Sequence, residues 1–148
     1  MSGLVNAWQA ALAAEHQAAF GYGLLGPRLS GSQQTLAITC SDAHEALRDA
    51  TQIAITTAGR TPVPPLADYP ALYPVPDAKA ARLLAVRLED GCAAAWRYLY
   101  AQAARTSSAS ANALRRSAQP ALTASAVRAT QWRLITSPGH ATTAFPGI

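Results

Sequence analysis

The side chains able to do chemistry are few, and they sit at regular intervals on otherwise small, apolar stretches. Glu15 and His16 stand side by side in "LAAEHQAAFGYG", residues 12–23. Trp8, Leu12, Glu15, Ala19 and Tyr22 follow spacings of four, three, four and three, the stripe of one helix face. Glu15 therefore faces the core, whereas His16 lies about 100° further round, at the flank beside Leu12 and Phe20. A second stripe, Leu36, Cys40, His44, Leu47 and Thr51, carries His44 inward. A third, Val86, Glu89, Ala93, Trp96 and Tyr100, does the same for Glu89, with Asp90 one step round toward solvent. Glu15, His44 and Glu89 each fall about twelve residues into their helices, so helices of similar length bring them to one layer. Buried carboxylates need partners, so the three share hydrogen bonds, a proton or a cation.

Two carboxylates and one imidazole suit a single divalent metal such as Fe, Mn or Zn, with His16 as an accessory ligand. The competing reading is a metal-free polar cluster held by charge pairing to Arg48 or Arg128. Cys40 is one turn from His44 and Cys92 nearly one turn from Glu89; packing as small buried hydrophobes outweighs soft-metal ligation there. No Ser-His-acid set can be assembled, so no catalytic residue is assigned.

Four helical segments must position these groups. Of 148 residues, 35 are alanine, a strong bias to helix. The segments run over about 3–28, 33–58, 77–106 and 109–136. Ser32 and Asp77 are candidate N-caps and Gly59 a candidate C′ glycine. Pro120 is expected to kink the last helix or split it in two. Residues 60–76, "RTPVPPLADYPALYPVP", contain six prolines in seventeen positions and read as a stiff, extended crossover. Fully stretched they reach about 56 Å, more than the roughly 40 Å length of a 27-residue helix. The flanking connections allow only tight reversals. Short, long, short predicts an all-α four-helix bundle of two antiparallel hairpins joined by one crossover, followed by an extended tail over 137–148.

Composition bounds the function classes. The length is that of one domain with its own core. Residues 1–90 carry six basic and eight acidic side chains, and residues 91–148 carry six arginines and no acid. Such asymmetry can mark a nucleic-acid surface, but with no basic cluster beyond Arg115-Arg116 the better reading is a basic helix packed beside acidic ones. Neither a membrane span nor a signal-peptide pattern is visible, which points to the cytoplasm and to reduced cysteines. Trp8, Phe20, Tyr22, Trp96, Tyr98, Tyr100 and Trp132 fill the core or line a pocket or subunit interface, with a homodimer as the expected assembly. The tail "HATTAFPGI" either clamps the bundle or a partner chain or stays mobile.

An inward Glu on helix one, His on helix two, Glu on helix three and a long crossover resemble the ferritin-like superfamily. More closely, the chain resembles an actinobacterial family of alanine-rich ferritin-like proteins of unassigned function. The matching stretches are "AAEHQAAFGYGLLGPRL", "AHEALRDA", "PVPPLADYPALYPVPDAKAA", "LEDGCAAAWRYL" and "ATTAFPGI". The resemblance implies a dinuclear site built from one Glu on each of two helices and Glu-x-x-His on each of the others. Glu15 and Glu89 match the single carboxylates and His44 the first histidine. Ser41 stands where its glutamate belongs, and the fourth helix offers neither ligand. The expectation is a bundle with a degenerate metal centre, acting as a non-catalytic structural, ligand-binding or interaction protein. The alternative is a mononuclear divalent-metal site of Glu15, His44 and Glu89.

Overall fold

A computed structural model describes residues 2–148. Helix α1 spans Ser2–Leu25, α2 Gly31–Thr57, α3 Ala78–Ala104 and α4 Ala109–Thr136, with no strand among the described residues. The architecture is an all-α four-helix bundle. A tight turn, Gly26–Arg28, joins α1 to α2, and another short turn joins α3 to α4. None of the four helices is long and apolar enough to cross a membrane.

Local chemistry explains the helix ends. The Asp77 side chain accepts from Ala80 N at 2.8 Å and caps α3; Ser108 accepts from Ala111 N at 3.1 Å and caps α4. Helix α2 starts at Gly31, two residues before the start expected after a Ser32 cap. Ser30 is extended in the cap position, and Gly31 turns the chain into the helix at φ +59°, a conformation that only glycine adopts without strain. At the other end Gly59 takes φ +75°. There Gly59 N donates to Thr56 O at 2.9 Å and Arg60 N to Ile55 O at 3.1 Å, a Schellman closure. Of the kink or split expected at Pro120, the split does not occur: helix α4 runs unbroken through it. Pro120 is exposed, so the carbonyl left without an N–H partner one turn earlier is on the side that water reaches.

Small residues let the helices approach. Helix α1 packs on both α2 and α3, and α3 packs most closely on α4. Ala81, Ala85, Ala93 and Ala103 of α3 and Ala111, Ala118, Ala121 and Ala129 of α4 are buried, which shortens interaxial distances. At Gly21 of α1 an added Cβ would stand 2.5 Å from Leu88 Cδ1, so the Leu88 side chain of α3 packs where a larger residue would force it to shift. Helices α2 and α4 meet more loosely and leave an apolar cleft of about 370 Å³ between them, floored by Trp96 and Thr51.

The crossover lies along α1. Gln9 clamps it, donating to Thr61 O and accepting from Val63 N, both at 2.8 Å. Phe20 packs on Tyr69 with ring centroids 5.0 Å apart, and Tyr69, Leu72 and Val75 are buried. The tail docks on α3: Arg97 Nη1 donates to Pro146 O at 3.4 Å. Gly147, at φ +85°, comes so close that an added Cβ would stand 2.7 Å from Ala93 O.

Candidate functional site

Glu15, His44 and Glu89 meet in the middle of the bundle, each fully buried. The His44 ring lies between the two carboxylates. Its Nδ1 is 2.6 Å from Glu15 Oε2 and its Nε2 2.9 Å from Glu89 Oε1. A carboxylate oxygen accepts, so both ring nitrogens donate and the ring is an imidazolium. Burial works against that charge, but the hydrogen bonds and charges of Glu15 and Glu89 outweigh it and raise the His44 pKa from 6.5 to about 9. Tyr22 stacks on the ring with centroids 5.5 Å apart and planes 25° from parallel, a favourable arrangement for a cation.

The remaining carboxylate valences are met from all sides. Trp96 Nε1 donates to Glu15 Oε1 at 2.7 Å, and Tyr22 Oη donates to Glu89 Oε1 at 2.7 Å. Trp132 Nε1 in turn donates to Tyr22 Oη at 2.9 Å. From α4, Arg128 Nε reaches both Glu89 oxygens at 3.1 Å, and Arg128 Nη2 donates to Ser125 Oγ at 3.2 Å. Two carboxylates, one imidazolium and one guanidinium sum to zero charge. Among the described residues no buried side-chain nitrogen or oxygen lacks a partner. Of the two arginines considered as charge partners, Arg128 takes the role, whereas Arg48 pairs with Asp49 on α2 at 2.9 Å.

His16 is not brought to this cluster. It is buried at the flank of α1, where its Nε2 donates to Val63 O at 3.0 Å and holds the crossover. Cys92 is brought to it: its thiol lies 4.0 Å from His44 Nδ1 and donates to Ala14 O at 3.5 Å. Burial first, then the nearby Glu15 and Glu89 carboxylates, raise the Cys92 pKa well above its ordinary value and keep the thiol protonated. Cys40 is also buried and its thiol is raised by burial. Glu15, His44 and Cys92 each offer one donor atom, all within 4.8 Å of one another.

Tyr22, Trp96 and Trp132 read from the sequence as core filling or as lining for a pocket or interface, not as donors to the carboxylates. A signal was present. Tyr22 follows Glu15, Trp96 follows Glu89 and Trp132 follows Ser125, each by seven residues, two turns along the same face. In α1 and α3 these donors serve the carboxylate across the interface: Tyr22 serves Glu89, and Trp96 serves Glu15.

The basic C-terminal half is largely spent inside the molecule. Arg128 pairs with Glu89, Arg133 with Asp90 and Arg115 with Asn112, and Arg97 holds the tail. The paired acids Glu89 and Asp90 lie on α3 and their arginines on α4.

Two comparisons agree with this architecture. The crystal structure of a conserved hypothetical protein, rv2844, from Mycobacterium tuberculosis is similar to this chain at 31% sequence identity and a TM-score of 0.80, covering 90% of this chain and 97% of that one. No curated protein sequence matches. A family model described as a domain of unknown function, DUF4439, matches residues 7–148, from within α1 through the crossover, the other three helices and the tail, and the chain belongs to that family.

Proposed function

We propose that the chain is a non-catalytic bundle derived from the ferritin-like architecture, with a central dinuclear site that has become an internally neutralised polar cluster. One observation carries this reading. Each His44 nitrogen donates to a carboxylate, and Arg128 of α4 reaches Glu89 from the side where a fourth-helix ligand belongs. Two hard cations need several bridging carboxylates to balance their charge. Here two carboxylates are already matched by two side-chain cations, so the dinuclear group does not fit this donor set. A mononuclear site of Glu15, His44 and Glu89 is disfavoured on the same grounds, because Arg128 already occupies the charge of Glu89.

The expected role is structural or binding, in the cytoplasm, where reduced conditions suit two free buried cysteines. Exposed Val127, Leu134, Phe145 and Ile148 on α4 and the tail support pairing as a homodimer, which sedimentation of the purified chain measures. The function test is aerobic loading with ferrous iron, scored as iron bound per chain and oxygen consumed. The expectation is neither above the level of a Glu15→Ala, Glu89→Ala double variant. Two irons per chain with oxygen uptake overturn the proposal.

A further inference from the structure

Among the described residues, Glu15, His44 and Cys92 are buried ligand-type side chains whose donor atoms all lie within 4.8 Å of one another. His44 Nδ1 is 2.6 Å from Glu15 Oε2 and 4.0 Å from Cys92 Sγ. Around a tetrahedral Zn²⁺ with bonds of about 2.0–2.3 Å, such donors stand about 3.3–3.5 Å apart. Opening the carboxylate contact by about 0.7 Å and closing the sulfur contact by about 0.5 Å reaches that geometry, a rotamer-scale adjustment. We propose that this position takes one thiophilic divalent cation, Zn²⁺ first, ligated by Glu15 Oε2, His44 Nδ1 and Cys92 Sγ in exchange for two protons. The proposal rests on the reading that the hard-ion dinuclear set is gone.

Charge selects this set over the others. In the proton-filled state Glu15 is −1, His44 +1 and the Cys92 thiol neutral. In the ion-filled state Glu15 and the Cys92 thiolate are each −1, His44 is neutral and the ion is +2. Both states sum to zero, so the exchange leaves no uncompensated charge among these buried side chains. One proton leaves Nδ1 and one leaves Sγ; nothing is oxidised or reduced. The same ion on Glu15, His44 and Glu89 releases one proton and leaves a surplus positive charge, because Arg128 stays paired to Glu89.

The surroundings of the three ligands are those of a metal site. His44 Nε2–H keeps its bond to Glu89 at 2.9 Å, which fixes the tautomer that leaves Nδ1 free to coordinate. Trp96 holds Glu15 Oε1 at 2.7 Å and leaves Oε2 for the ion. Arg128 and Tyr22 in turn hold Glu89. The exchange breaks the weak 3.5 Å thiol bond to Ala14 O and the Nδ1 proton's bond to Glu15. A metal ion deprotonates a coordinated thiol outright, which removes the barrier that burial sets against the thiolate. The cleft between α2 and α4 reaches Trp96 and offers an approach.

The test titrates the full chain with Zn²⁺ and, separately, Co²⁺ in weakly buffered solution. One ion per chain, two protons released per ion and a thiolate-to-cobalt charge-transfer absorption are expected. Cys92→Ser should abolish that absorption and weaken Zn²⁺ binding at least tenfold, while Cys40→Ser keeps both. No binding to the folded wild-type chain, one proton per ion, or an absorption that survives Cys92→Ser overturns the proposal. The proton count and absorption are read on the wild-type chain, so the outcome stands even where Cys92→Ser fails to fold. Iron-dependent oxygen uptake in the earlier assay overturns the reading on which this site rests; failure of the cobalt experiment overturns this site and leaves that reading standing.

Discussion

The two hairpins bring the same design to the centre with one substitution. In α1–α2, Glu15 faces His44 at 2.6 Å; in α3–α4, Glu89 faces Arg128 at 3.1 Å through both oxygens. The first helix of each also carries, seven residues on, an aromatic donor for the other's carboxylate. What differs is the cation. A guanidinium keeps its charge at any pH a protein meets, whereas an imidazolium exists only while its surroundings hold the proton. The α3–α4 half is therefore permanently neutralised. The α1–α2 half is conditionally neutralised, and it is the half that Cys92 adjoins.

Removing a cation should break the comparison most severely. His44→Leu strands Glu15 Oε2 and takes one donor from Glu89, for an expected loss of about 3–5 kcal/mol in urea unfolding, the usual cost of an unpaired buried charge. Arg128→Met should cost less, since its side chain is 14% exposed and water can reach the gap. Changing Glu89 and Arg128 together to Gln and Met removes both charges, leaves an amide oxygen to accept from His44 and Tyr22, and should recover most of that loss. A double variant as unstable as Arg128→Met alone would show that packing, not charge pairing, is what Arg128 provides.

The pH dependence separates the hairpins next. The His44 pKa is raised from 6.5 unfolded to about 9 folded. Its contribution is fully present below pH 6.5 and is lost as pH rises through 9. It amounts to about 3 kcal/mol by linkage. The Arg128 pair contributes no loss in that window, because its own pKa is pushed up, not down, by Glu89 against the effect of burial. Melting temperature against pH should fall between 6.5 and 9 in wild type and in Arg128→Met, and should flatten in His44→Leu.

The aromatic donors give the smallest contrast. Trp96→Phe leaves the charged Glu15 Oε1 without a donor and should cost about 1–3 kcal/mol. Tyr22→Phe should cost less. Glu89 keeps His44 and Arg128, and the group left unpaired is the neutral Trp132 N–H. Chemical denaturation of the two variants side by side reads the order; the reverse order would mean that the Trp96 bond matters less to the cluster than the Tyr22 bonds.

Much of this was legible from spacing. Glu15, His44 and Glu89 were placed at one layer because each sits on an apolar stripe at the same depth, and periodicity reports both quantities. Arg128 was named as a partner only alongside Arg48, since nothing local distinguishes an arginine that reaches a carboxylate on a neighbouring helix from one that pairs on its own. Cys92 read as packing because a buried thiol and a ligand thiol share one pattern. His16 was put at the flank correctly, but its bond to Val63 depends on where a proline-rich segment passes. The Ser32 cap and the split at Pro120 went astray for a common reason: each was judged from residue type, whereas Gly31 and the solvent side of α4 decided the outcome.

The amino-acid sequence by itself determined the four helices, the one-crossover topology and which face of each helix is buried, because these follow from propensity, periodicity and chain length. Tertiary structure alone decided the pairing: that His44 lies between two carboxylates, that Arg128 completes the neutrality, and that Cys92 comes within 4.0 Å of the ring. Those facts depend on helix rotation and side-chain reach across interfaces, which no spacing within a single helix encodes.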